Sequence, residues 1–194
     1  MEPRLTEIEF DEIIANLENL QEEITPEIEE EIRACAKKVT EAADPKFTYM
    51  MLPIYDREIS GCPIEGNDIG EFLATSNQAL LFAATLGNEV EEMLLGNGED
   101  ARAEAIMNAC ARAAIENVVG NFENDFAKAA SYQGLFLTDR FCPGNGDMPA
   151  GEHQRICDIL YTTKRIGLDI ADAEDLTPRS WMSAIIGISE IPQR

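Results

Sequence analysis

The chain has 194 residues, 45% of them hydrophobic, with 37 acidic side chains against 15 basic ones and a formal net charge of −22. That length and apolar content suit a folded domain rather than a disordered chain, and the acidity argues against nucleic-acid phosphate or an anionic membrane surface as partner. No apolar run reaches the length of a membrane span and no basic-then-apolar leader opens the sequence, so a cytoplasmic location is expected.

The acids are densest at the start, where residues 1–44 carry 14 acids and 4 bases. Ile8, Ile13, Ile14, Leu17 and Leu20 recur at helical spacing over Thr6 to Glu22. Thr25-Pro26-Glu27-Ile28 reads as a helix start, with Thr as N-cap, Pro at the first position and Glu at the positive end. Asp44-Pro45 ends that second helix. The pair predicts an N-terminal helical hairpin laid on a sheet: an extension, residues 1–44, joined to a main domain of residues 45–194 in one compact unit.

Phe47 to Ile59 is rich in aromatic and branched residues and suits a bent strand pair, with Pro53 confined to an edge or a bulge. A short helix is expected over Asp68 to Thr75, a buried strand over Ala79 to Ala84 and a helix over Asn88 to Leu95. Gly96-Asn97-Gly98 is a turn, and Glu99 to Ala130 reads as one long Ala-rich helix. Gly134 to Leu137 reads as a short strand and Gly151 to Tyr161 as a helix. Leu168 to Ile170 and Met182 to Ile188 supply the last strands. Strands and helices do not alternate strictly, which favours an α+β fold: a mostly antiparallel twisted sheet packed by several helices.

Between the strand at Leu137 and the helix at Gly151 lies the most informative stretch, Thr138 to Ala150, T-D-R-F-C-P-G-N-G-D-M-P-A. It reads as a strand-to-helix connection with Arg140 at its mouth. A guanidinium offers planar, forked donors suited to a carboxylate or phosphate, and glycines let backbone approach a ligand. An ordinary tight loop carrying a surface arginine has the same composition.

Other chemistry is poorly equipped. Gly144-x-Gly146 lacks the third glycine of a dinucleotide-binding loop, and a Walker loop is absent. His153 is the single histidine and reads as a helix-start residue. The five cysteines, Cys35, Cys62, Cys110, Cys142 and Cys157, form no Cys-x-x-Cys pair. Buried free thiols are expected, with no metal and no disulfide. No catalytic acid, base or nucleophile stands out; binding and positioning are easier to support.

The Arg140-x-x-Pro143-Gly144 pattern, followed by Gly146-Asp147-x-Pro149, resembles the activation (reactivation) domain of cobalamin-dependent methionine synthase, and more closely the small stand-alone proteins related to it. Leu81 to Gly87 resembles that family's apolar strand ending in Thr-Leu-Gly. Glu116 lies where the family carries a helical glutamate. Leu176-Thr177-Pro178-Arg179-Ser180 with Ile185 to Ser189 resembles its closing segment. Together these cover roughly residues 70 to 190.

The resemblance implies an antiparallel sheet wrapped by helices and a site for S-adenosylmethionine built from Arg140, Phe141, Cys142, Pro143, Gly144, Asn145, Glu116 and Thr85. Arg140 would fork onto the ligand carboxylate, Glu116 would meet its ammonium, and the Phe141–Gly144 backbone would follow the ligand closely. It also implies that the ligand is presented to a cobalamin on a partner protein, a corrinoid protein or a methionine synthase lacking its activation domain. A reductant protein supplies an electron and the methyl donor drives the reduction forward. The chain departs from the family at Asn145, where tyrosine is usual; asparagine keeps a turn but weakens apolar contact with a corrin. Two other readings stay open: a non-catalytic docking subunit of a corrinoid methyltransferase system, and a small-molecule-binding protein with a changed ligand.

Overall fold

The computed structural model describes residues 1–17, 23–56, 58–62, 64–96, 100–170 and 179–191. Its sheet is antiparallel throughout, built from β1 (Lys46–Tyr55), β2 (Glu58–Ile59), β3 (Gln78–Thr85), β4 (Phe136–Phe141) and β5 (Trp181–Ser189) in the order β2-β1-β3-β5-β4. Central strands of a sheet covered on both faces must be apolar on both faces, and β3 and β5 are. Leu80, Phe82 and Ala84 point to one core, Ala79, Leu81 and Ala83 to the other. The α+β class with an antiparallel sheet is as expected from the sequence.

The first core is closed by α1 (Phe10–Ala15), α2 (Pro26–Ala42), α4 (Asn88–Leu95) and α5 (Ala101–Ser131). The second is closed by α3 (Asn67–Phe72), α6 (Glu152–Leu160) and α7 (Thr162–Ile166). The 31-residue α5 is capped by Asp100, whose carboxylate accepts from the N–H groups of Arg102 and Ala103 at 3.0 and 3.2 Å. Small residues on its inner face, Ala109, Ala113 and Ala114, bring the helix close to the sheet. Phe122 fills the gap further on, against Phe47 and Phe82 at ring distances of 4.7 and 5.3 Å.

The N-terminal segment differs from expectation. Thr25 caps α2 as its sequence implies, but α1 begins at Phe10 and residues 1–9 form no helix. Thr6 instead gives its N–H and hydroxyl to Asn117 Oδ1, and Arg4 forks onto Asp125. The polar stripe Asn117–Asn121–Asp125 on α5 thus offers this arm side-chain partners that a helix would have kept within its own backbone. The main support of both α1 and α2 is α5, so the two helices form a layer above it rather than a hairpin directly on the sheet. Leu20 and Glu22 lie outside the described residues, as do Asn97, Gly98, Glu99 and Leu176 to Pro178.

Two further strand expectations are corrected. Leu168 to Ile170 is irregular chain: its apolar side chains are buried in the second core, while the hydroxyls of Thr162 and Thr163 take the Leu168 carbonyl. And β4 runs through Phe141, so Arg140 sits in a strand and not in the loop that follows.

Candidate functional site: the Arg140 cluster

Strand β4 is an edge, and it carries one extra residue. Leu137 pairs with Ile188 but Arg140 pairs with Ile186, leaving Thr138 and Asp139 opposite Gly187 alone. Such a bulge is tolerated at an edge, where a broken ladder bond can be replaced locally. Here the Thr138 hydroxyl accepts the Gly187 N–H at 2.8 Å. The bulge re-aims the following side chains: Arg140 turns towards α5, and Phe141 turns to the other face, 5.1 Å from the Phe72 ring.

Arg140 meets two carboxylates set two turns apart on one α5 face. Glu116 accepts from its Nη2 in a short ion pair, and Glu123 from its Nη1 at 3.4 Å. The cluster is half out of water, with side-chain exposures of 26% for Arg140, 44% for Glu116 and 28% for Glu123. Burial pushes the Glu123 carboxyl above its ordinary range, and the neighbouring Glu116 adds to this against the pull of Arg140. Burial works against the Arg140 charge as well, but Glu123 and Glu116 together hold its pKa above the usual value. Burial likewise raises the Cys142 thiol beside them. A cleft of about 460 Å³ opens alongside, between Glu123, Asn124 and Ala127 of α5 and Thr138, Asp139 and Arg140 of β4.

The loop after Phe141 is a double turn. Asn145 N–H donates to the Cys142 carbonyl at 3.1 Å, and Gly144 N–H to the Met148 carbonyl at 2.9 Å. Pro143 and Met148 are buried beneath it, while Gly144, Asn145 and Gly146 form its exposed tip. The left-handed positions are Gly144, at φ +89, and Gly146, at φ +55; Asn145 between them has ordinary backbone. The turn therefore needs its two glycines, and Asn145 is not required as a left-handed residue.

Of the residues expected at the site, the structure brings together Arg140, Glu116 and Cys142, with Phe141 to Asn145 continuing directly from them. Thr85 does not join them. It pairs with Lys46 and Trp181, and its hydroxyl accepts the Gly87 N–H at 3.0 Å. Arg140 stands opposite Ile186, which pairs with Leu80, five positions from Thr85 along β3, a separation of roughly 16 Å in strand rise alone.

Sequence reasoning missed Glu123. Its spacing of seven from Glu116, two helical turns on the same face, was the available signal. It also missed the setting of His153, which is 2% exposed. Its Nδ1 lies 2.7 Å from the Ser183 hydroxyl, and its ring stands edge-on to Trp181 at 5.0 Å.

In chemical terms the cluster is an internal ion triad of one guanidinium and two carboxylates. A zwitterionic ligand can enter it by exchange: the ligand carboxylate takes the guanidinium fork, and its ammonium takes a released glutamate. No protein-family model matches the chain, and no curated protein matches it in sequence. A crystal structure of the MetH reactivation domain bound to AdoHcy resembles it with a TM-score of 0.59, over 87% of this chain and 67% of that one, at 14% identity. A nitroreductase family protein from Streptococcus pneumoniae TIGR4 reaches a TM-score of only 0.38 at 9% identity, over 96% of this chain and 92% of that one, too little shared architecture to argue from. The chain thus shares the fold of the MetH reactivation domain.

Proposed function

We propose that the chain binds S-adenosylmethionine, or the corresponding S-adenosylhomocysteine, at the Arg140 cluster. Bound there, the ligand would assist reductive methylation of a cobalamin held by a partner methyltransferase or corrinoid protein, with a reductant protein supplying electrons. The observation that carries the reading is Arg140 itself, set by an edge bulge between Glu116, Glu123 and the Cys142–Asp147 turn, in a chain of this fold. The guanidinium would hold the ligand carboxylate, Glu116 would turn to its ammonium, and the Phe141–Gly144 backbone would line the remainder.

In this reading the cobalamin is not resident in this chain. Its one histidine is buried against Ser183 and Trp181 and cannot reach a metal. The cobalamin would come on the partner and would supply the methyl-accepting metal. The residues of this chain would bind and orient the methyl donor. No helix among the described residues is long and apolar enough to cross a membrane.

Titration calorimetry with S-adenosylhomocysteine tests the reading. Binding is expected for the wild type, and Arg140→Ala is expected to weaken it by about 1.5–3 kcal/mol through loss of a charge-assisted fork. No heat at millimolar ligand refutes it. A second reading, a docking subunit or a pocket with a changed ligand, is favoured by the exposed, polar Asn145 at the turn tip, and would stand if that titration is blank.

A further inference from the structure

Helix α2 packs on α5, and three sulfur side chains meet where they touch. We propose that Cys35 of α2, with Met107 and Cys110 of α5, forms a binding site for one Cu(I) ion, held by two thiolates and a thioether.

The helical repeat brings the donors together. Met107 and Cys110 are one turn apart on α5, and Cys35 lies one turn after Ile32 on α2. Cys35 Sγ is 3.8 Å from Met107 Sδ. Cys110 Sγ is 3.8 Å from the Ile32 carbonyl oxygen and also lies against the Cys35 sulfur. A hydrogen bond between the two thiols lowers the Cys35 pKa and, with burial, raises that of Cys110. A metal bonded to sulfur at about 2.3 Å holds two such donors about 3.8–4.0 Å apart in tetrahedral or trigonal geometry. The Cys35–Met107 pair already has that spacing.

The donor types select the ion. Thiolate and thioether are soft ligands that suit Cu(I), whereas a structural zinc takes four donors from cysteine, histidine or carboxylate. Among the described residues no three His, Cys, Asp or Glu side chains gather as a metal site, so the thioether supplies the third donor. Sequence spacing gives no sign of the site, because its cysteines stand on different helices. On binding, both thiol S–H bonds break and two copper–thiolate bonds and one copper–thioether bond form. Two protons pass to water, and the copper stays Cu(I). Two thiolates and one Cu(I) leave a single negative charge, which the nearby Lys38 ammonium offsets.

The site also has an entrance. A cavity of about 330 Å³ opens between the start of α5 and the middle of α2, and Cys35, Met107 and Lys38 are part of its wall. Cys35 and Met107 are 9% and 7% exposed, and Cys110 behind them is fully buried. An ion entering through the cavity meets the first two sulfurs at the wall and the third inside. Bound there, it is largely shielded from water.

The test is an anaerobic titration of the reduced, full-length protein against the coloured Cu(I)–bicinchoninate complex. One equivalent of Cu(I) is expected to pass to the protein. Cys35→Ala is expected to abolish the transfer. Met107→Leu, a swap of similar volume without the sulfur, is expected to weaken it at least ~10-fold. Cys110→Ala is expected to abolish it as well; should that core variant fail to fold, Cys35→Ala and Met107→Leu carry the result. The double variant Cys62→Ser/Cys142→Ser is expected to bind Cu(I) as the wild type does. X-ray absorption at the copper edge should show three sulfur neighbours at about 2.3 Å in wild type and two in Met107→Leu. S-Adenosylhomocysteine binding should be the same in Met107→Leu as in wild type, which separates this site from the Arg140 cluster. No transfer to wild type, equal affinity in Met107→Leu, transfer that survives Cys35→Ala, or a Cys35–Cys110 disulfide in place of a copper adduct by mass spectrometry overturns the proposal.

Discussion

Asp68 and Asp147 clasp each other across 79 residues of chain. Asp147 Oδ1 accepts the Asp68 N–H, and Asp68 Oδ2 accepts the Asp147 N–H, each at 3.0 Å. Asp147 Oδ2 adds the Asn67 N–H at 2.8 Å and the Asn67 amide at 3.0 Å. The clasp fixes the far end of the Arg140 loop to the start of α3, and Gly146 is required where a Cβ would run into the Asp68 carboxylate. The backbone N–H groups of Asp68 and Asn67 hold the Asp147 carboxyl below its ordinary range. A folded pKa below the unfolded one gives stability that is present above the unfolded value, near 3.9, and lost as pH falls through the folded value. Asp147→Asn is therefore expected to melt lower than wild type at pH 7, and the gap should close in melts taken towards pH 2.

His153 makes a second pH prediction, of the same sign over a different range. Burial pushes its pKa down to about 4, against about 6.5 in an unfolded chain. Between those values the unfolded chain takes up a proton that the folded one refuses. Stability is full above about pH 6.5 and falls as the pH drops towards 4, by a total on the order of 3 kcal/mol. Urea unfolding at pH 7 and pH 4.5 should show the fall in wild type. His153→Gln, which keeps a partner for the Ser183 hydroxyl and has no proton to gain there, should show a smaller one.

The bulge predicts a steric effect. A Cβ at Gly187 would overlap the Ser76 hydroxyl and lie 2.9 Å from Thr138 Cγ2 and 3.0 Å from Leu73 Cδ2. Gly187→Ala is expected to cost about 1–3 kcal/mol by overpacking and to disturb Arg140 through the displaced Thr138. Thr138→Val removes the acceptor of the Gly187 N–H and should cost about 1–2 kcal/mol. Denaturant midpoints check both. A Gly187→Ala protein as stable as wild type would show that the bulge has room to shift.

Much of this architecture was legible because it rests on local signals. Asn88 to Leu95 is a helix over the residues its pattern marks, and the continuous apolar run at Ala79 to Ala84 is a strand buried on both faces. Thr25-Pro26 opens α2 as a capped helix should. What the sequence hid depends on distant partners. Thr6 to Glu9 has helical spacing, but Asn117 and Asn121, more than 100 residues away, offer its polar groups alternative bonds. Thr138 to Phe141 has turn-forming composition, yet β5 pairs with it and Thr138 replaces the missing ladder bond. The site was legible in part for the same reason. Arg140 and the loop after it are contiguous in sequence, and Glu116 entered through the resemblance. Thr85 was placed with them although strand register sends it to the other end of the sheet.

Asn145 gives the prediction that bears most directly on function. In the reactivation domains that the sequence resembles, this position usually carries tyrosine. Asn145 is exposed, its backbone is not left-handed, and the turn is held by the Asn145 N–H to the Cys142 carbonyl and the Met148 N–H to the Asn145 carbonyl, both at 3.1 Å. None of this involves the asparagine side chain, and the positive φ angles fall on Gly144 and Gly146. Asn145→Tyr is therefore expected to fold as wild type and to bind S-adenosylhomocysteine within about twofold of it, well under 1 kcal/mol. It should differ only where an aromatic can stack on a flat partner. In an anaerobic assay with a cob(II)alamin-loaded corrinoid protein, a low-potential reductant and S-adenosylmethionine, the wild-type protein should accelerate loss of the cob(II)alamin absorbance. Asn145→Tyr should match or exceed it, and Arg140→Ala should abolish the gain. Ligand binding without any acceleration, for wild type and Asn145→Tyr alike, would leave the Arg140 cluster as a ligand site and remove cobalamin reactivation from the reading.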